Sequence, residues 1–134
     1  MKKLVQVICV LLCSMMIGCS LPSASKKDAK KYVIVKQLDH ASIDEIAVAI
    51  ENELKELDET ADVEIYSGQN DQSTLMQIGK QAVTDGADVI IPIGTLAAQT
   101  MVVASEDTEI PVVYATISDP EAASLTGIDR VTGT

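Results

Sequence analysis

Polar and small residues gather in four short stretches, each directly after an apolar run. They are Gln37-Leu38-Asp39-His40-Ala41-Ser42, Gly68-Gln69-Asn70-Asp71, Gly94-Thr95-Leu96-Ala97 and Thr116-Ile117-Ser118-Asp119-Pro120. Gly94-Thr95 is the most interpretable. A glycine between a strand and a helix start exposes backbone N–H groups at the positive end of the helix dipole, which suits a carboxylate or phosphate. Thr95 acting only as a helix cap satisfies the same pattern. Thr116 and Ser118 offer hydroxyls. Asp119 offers a carboxylate, either for a substrate ammonium or for capping a turn before Pro120. These residue types hold a small polar molecule more readily than they transform one.

Catalytic signatures are missing by comparison. Ser118 lies in no Gly-x-Ser-x-Gly elbow, and neither a G-x-G-x-x-G run after the first strand nor a Walker lysine pattern occurs. His40, the single histidine, has no Cys or Glu motif converging on it and reads as a loop residue that hydrogen-bonds a ligand or the backbone. Asp85-Gly86-Ala87-Asp88 lacks the remaining ligands of a calcium loop and reads as a helix stop. The acidic stretch Glu51 to Glu64 reads as a solvated face. No catalytic residue, metal or cofactor is expected.

These loops need strands and helices to hold them. Tyr32-Val33-Ile34-Val35 is a β-branched run, a strand ending near Gln37. Ile43, Ile46, Ala47, Ile50, Leu54 and Leu57 recur at helical spacing, with Ser42 as N-cap and Glu45 completing a capping box. Val63-Glu64-Ile65-Tyr66 is a second strand, and Leu75, Ile78, Ala82 and Val83 mark a second helix stopped at Gly86. Val89 to Ile93 is a third strand, discordant only at Pro92, which removes a ladder donor and is read as the point where the strand leaves the sheet. A helix capped by Thr95 runs to about Ser105, and Pro111 to Thr116 is a fourth strand. A short segment ending in Val131-Thr132-Gly133-Thr134 follows. Apolar strands alternating with amphipathic helices predict an α/β domain with a doubly wound parallel sheet. Its core must be aliphatic, because the chain has no Trp or Phe and three Tyr.

The N-terminus sets the compartment. Lys2 and Lys3 precede an uncharged apolar run, Leu4 to Ile17, too short to cross a membrane and flanked as a signal peptide is. Met16-Ile17-Gly18-Cys19 fits a lipobox, so residues 1–18 are expected to be cleaved and Cys19 lipidated. Residues 19–31 then form a flexible tether, and 32–134 the domain. Cys9 and Cys13 leave with the signal, so no disulfide framework remains. Cleavage also removes Lys2 and Lys3 and no acid, leaving 8 basic against 20 acidic residues, a net charge of −12. Such a charge argues against nucleic acid.

The run from Gln37-Leu38-Asp39-His40 through Asn70-Asp71-Gln72-Ser73-Thr74-Leu75, Ile93-Gly94-Thr95-Leu96-Ala97-Ala98-Gln99, Tyr114-Ala115-Thr116-Ile117-Ser118-Asp119-Pro120 and Val131-Thr132-Gly133-Thr134 resembles a known family. It is similar to the ABC-transporter substrate-binding lipoproteins that include tryptophan- and other aromatic amino acid-binding members, from about Tyr32 to the last residue. The resemblance implies a type I periplasmic-binding-protein fold of two α/β lobes with the solute clamped between them, of which this is one Rossmann-like lobe. It implies an exported, lipid-anchored solute-binding component of an ABC importer, with an amino acid or similar small carboxylate as solute and the permease as partner. Matching positions place Asp39, His40, Asn70, Thr95, Ser118 and Asp119 in the first-lobe half of the cleft, beside Gly94 and Thr116 from the loop reading. Family members continue past Val-Thr-Gly-Thr into a second lobe, so the chain is expected to be a first-lobe fragment. The competing reading is a stand-alone exported flavodoxin- or receiver-like signalling domain, for which Asp39 lacks an acidic pair.

Overall fold

The structure, a computed structural model, describes residues 29–134. The expected signal peptide, Cys19 and nearly all of the expected tether lie outside the described residues. Lys31 already pairs with Asp62 at the start of the first strand.

Five strands and three helices follow: β1 (Lys31–Lys36), α1 (Ala41–Leu57), β2 (Asp62–Ser67), α2 (Gln72–Thr84), β3 (Val89–Ile93), α3 (Thr95–Ala104), β4 (Val112–Tyr114) and β5 (Val131–Gly133). All pairings are parallel, in the order β2-β1-β3-β4-β5. Alternation along each strand sends successive side chains to opposite faces. Val33, Val35, Ile90 and Val112 point to the face packed by Leu75 and Ala82 of α2 and Ala97 and Met101 of α3. Ile34, Ile91 and Ile93 point to the other, where Ala47, Ile43, Ile46 and Ile50 of α1 cover them. The sheet is therefore doubly wound, and its core is aliphatic. Tyr114 is the one buried aromatic among the described residues, in a satellite cluster with Ala98, Ile117, Ala123 and Leu125.

Several local expectations are corrected. The N-cap of α1 is His40, not Ser42: the imidazole Nδ1 accepts from the Ser42 amide at 3.3 Å. Thr95 is the first helical residue of α3 rather than its cap; Gly94 takes the cap position without a side-chain bond of its own. The fourth strand is shorter than expected, and Val131–Gly133 forms a fifth strand beside it. Pro92 does not end β3. It is fully buried and deletes one rung, flanked by Ile90 N to Pro111 O at 3.0 Å and Gly94 N to Ala115 O at 3.2 Å. The glycine stop of α2 holds: Gly86 at φ +74 is followed by Ala87 N bonding Ala82 O at 3.0 Å, the long bond of a Schellman turn.

Candidate functional site at the carboxyl ends of the strands

The chain leaves β1 for β2 on one side, then crosses back to β3 on the other. In an open α/β sheet the crevice at such a reversal, outside the carboxyl ends of the strands, is where ligands bind. Here those ends are Gln37, just past β1, and Gly94, just past β3, joined by Gln37 N donating to Ile93 O at 3.0 Å.

Gln37 is half-buried and ties three loops together. Its Oε1 accepts from the Leu96 amide at 3.0 Å, satisfying one of the N–H groups that the first turn of α3 cannot bond internally. Its Nε2 donates to Asn70 Oδ1 at 2.9 Å, and its carbonyl accepts from the Asn70 amide at 2.7 Å. Gly94 makes this possible. At φ +101 it occupies backbone space that side chains rarely adopt, and a Cβ there would stand 2.7 Å from Gln37 Oε1. Asn70 and Gln69 both have positive φ, +57 and +52, and Asp71 N closes the turn on Gly68 O at 2.9 Å. That is the type I′ geometry, in which asparagine is favoured.

A second polar group borders the crevice on the α1 side. Lys36 lies between Asp39 and Asp44 and hydrogen-bonds both, tying the end of β1 to the first turn of α1. The other oxygen of Asp39 accepts from Gln69 Nε2, which also reaches Ser67 Oγ at 3.0 Å. These contacts hold the Asp39 carboxyl at a pKa of about 2, the Lys36 bond contributing most, then Gln69 and Ser67. The same bonds, Asp39 first and Asp44 second, raise the Lys36 ammonium above its ordinary value. Asp71 is lowered too, by the Thr74 hydroxyl and amide that it caps at the start of α2.

On the β4 side the chain turns sharply at Thr116, whose φ is +64. Thr116, Ser118 and Asp119 are exposed, and Asp119 Oδ1 accepts from the Ala122 amide at 2.9 Å, capping the turn before Ala123. Asp39, His40, Asn70, Gly94, Thr116, Ser118 and Asp119 thus lie on loops leaving the carboxyl ends of β1, β2, β3 and β4, and Thr95 opens the helix that follows β3. Direct bonds join these ends unevenly: Asn70 and the first turn of α3 meet through Gln37, and Asp39 bonds Gln69. On the β4 side Gly94 N donates to Ala115 O, while among the described residues Thr116, Ser118 and Asp119 make no bond to the other three loops. Gln37 and Lys36 are the members that loop-by-loop reasoning missed. Gln37 carried a signal, as the first polar residue after β1; Lys36 carried none, being one lysine at the end of an apolar strand.

No curated protein matches the chain. Among solved structures, the ABC domain in complex with L-Trp from Streptococcus pneumonia is 30% identical over 80% of this chain, with a TM-score of 0.72. The ligand-free, open structure of CD0873 from Clostridium difficile, a substrate binding protein with adhesive properties, is 28% identical over 75%, with a TM-score of 0.66. A conserved domain protein from Vibrio cholerae, 24% identical with a TM-score of 0.68, shares the fold. The chain spans 38%, 35% and 38% of these structures. The family model for ABC transporter substrate binding protein matches residues 31–133, the whole of the folded domain from its first strand to its last, and the chain belongs to that family.

Proposed function

We propose that this domain forms the first-lobe half of a solute cleft in the extracytoplasmic binding component of an ABC importer, and that the solute is an amino acid or a similar small carboxylate. The observation that carries the reading is the organised polar junction at the topological switch point. Gln37 bonds both Asn70 and the first turn of α3 there, with Thr95, at the start of α3, and Ser118, on the loop after β4, exposed beside it. The L-Trp complex of the similar Streptococcus protein favours an amino acid. A second lobe facing this one, export with a lipid on Cys19, and the permease as partner complete the proposal. They rest on the sequence and on the family. The stand-alone signalling reading gains no specific observation, because the strand order is common to both folds.

The test is chemical-shift mapping on the labelled chain with L-tryptophan and other amino acids at millimolar concentration. Amides of 37–40, 68–71, 94–97 and 115–119 are expected to move. No movement with any amino acid, or movement confined to the opposite end of the sheet, would reject the reading.

A further inference from the structure

We infer that Gln37 is the positioning residue of this crevice, a clamp that sets the start of α3 and the Asn70 turn in their solute-ready arrangement before any solute arrives. The role deepens the solute-binding reading and rests on it for its purpose, though not for its geometry. Each half of the side-chain amide has a different task. The oxygen accepts from Leu96 N at 3.0 Å and the nitrogen donates to Asn70 Oδ1 at 2.9 Å. Asn70 sits at φ +57 beside Gln69 at φ +52; Gln69 is held by Asp39 and Ser67, and the Gln37 amide is the side-chain partner of Asn70. The third contact is steric. Gly94 has Gln37 Oε1 and Cβ where its own Cβ would stand, at 2.7 and 3.0 Å, so the cap position of α3 and the glutamine interlock. These contacts reach across 33 and 59 residues of sequence and join the strand ends on both sides of the switch point. Fixing polar groups before binding lowers the ordering cost at binding.

Two substitutions separate the clamp from simple filling of space. Gln37→Met keeps the volume beside Gly94 and removes both bonds. Gln37→Glu keeps an acceptor for Leu96 N, and its second oxygen can receive the Asn70 side-chain amide once that amide turns over. Hydrogen exchange in the ligand-free full chain is the first readout. In Gln37→Met the Leu96 amide should exchange roughly fivefold faster or more, the net worth of one hydrogen bond, with amides late in α3 unchanged. Gln37→Glu should restore Leu96 protection. Unaltered Leu96 exchange in Gln37→Met overturns the clamp, as does equal loss in both variants. L-Tryptophan titration followed by chemical shift is the second readout, with roughly fivefold weaker binding expected for Gln37→Met. If the unsubstituted chain shows no response, the solute reading fails while the exchange result still decides the clamp. If the unsubstituted chain responds and Gln37→Met binds equally well, the clamp has no bearing on the solute and the inference falls.

Discussion

Thr116 holds φ +64, where a Cβ crowds the following carbonyl at a cost of about 1–2 kcal/mol. It is β-branched, so the strain is greater than for the Asn70 turn. Strain of this kind persists where the surroundings over-determine it, often at ligand sites, and Thr116 is exposed on a loop bordering the crevice. Thr116→Gly should relieve the strain. Glycine's extra unfolded-state freedom takes back about 0.5–1 kcal/mol, so the net gain expected lies between about 0 and 1.5 kcal/mol, read as a urea midpoint equal to or above that of the unsubstituted chain. A lower midpoint would mean that the threonine side chain holds the turn. At this scale the sequence was only partly legible. The polar loops, Gly94 and the stop at Gly86 could be read because each is a local pattern. Gln37 could not be assigned, because its two bonds are to residues 33 and 59 positions away. Capping by His40 was missed for another reason. Ser42 and Glu45 match the capping-box template, but His40, two residues earlier, takes the cap position, its imidazole accepting from Ser42 N.

The helix α3 shows how an element is held at both ends by other parts of the chain. Gln37 bonds its first turn, and Arg130 bonds its last. The guanidinium donates to Val102 O at 2.9 Å and to Ser105 Oγ at 3.0 Å. Ser105 is fully buried, and its hydroxyl donates in turn to Met101 O at 2.7 Å. A cation at the carboxyl end of a helix also opposes the helix dipole. Arg130 lies just before β5, so the bond ties the fifth strand to α3. Arg130→Met should cost about 1–3 kcal/mol, from lost charged hydrogen bonds and uncapped carbonyls. The check is the denaturation midpoint, and a change under about 0.5 kcal/mol, the range of an ordinary surface substitution, would reject the tie. Elements with a strong period were legible: β3 and the helices fell where apolar spacing put them. The three-residue β5 was not, because Val131-Thr132-Gly133 has no period of its own. Its strand state comes from pairing with Val112, Val113 and Tyr114. Pro92 misled for a related reason, since a buried central strand can lose one rung while the rungs on either side of it hold.

At the scale of the whole molecule, the crevice is an edge rather than an enclosure. Asp39, His40, Asn70, Thr95, Thr116, Ser118 and Asp119 are all exposed, and Gly94 is half-buried. Small-molecule sites usually bury about 70–90% of the ligand surface between apolar walls. This domain offers one polar wall, and its apolar side chains are spent in the two layers between sheet and helices. A solute resting on the loops would keep most of its own surface wet and gain only a few hydrogen bonds, each worth about 1 kcal/mol net. Against that stands a cost of at least about 4 kcal/mol for losing its freedom of motion. The balance leaves little affinity in this domain alone. In the proposed reading, a facing surface that buries the solute and completes its contacts would supply the missing affinity. Calorimetry of the chain with L-tryptophan and a panel of amino acids should therefore give no saturable heat at micromolar solute. A Kd in the micromolar range, about −8 kcal/mol, would mean that these loops close on a ligand by themselves, and the two-surface account of the cleft would have to be abandoned.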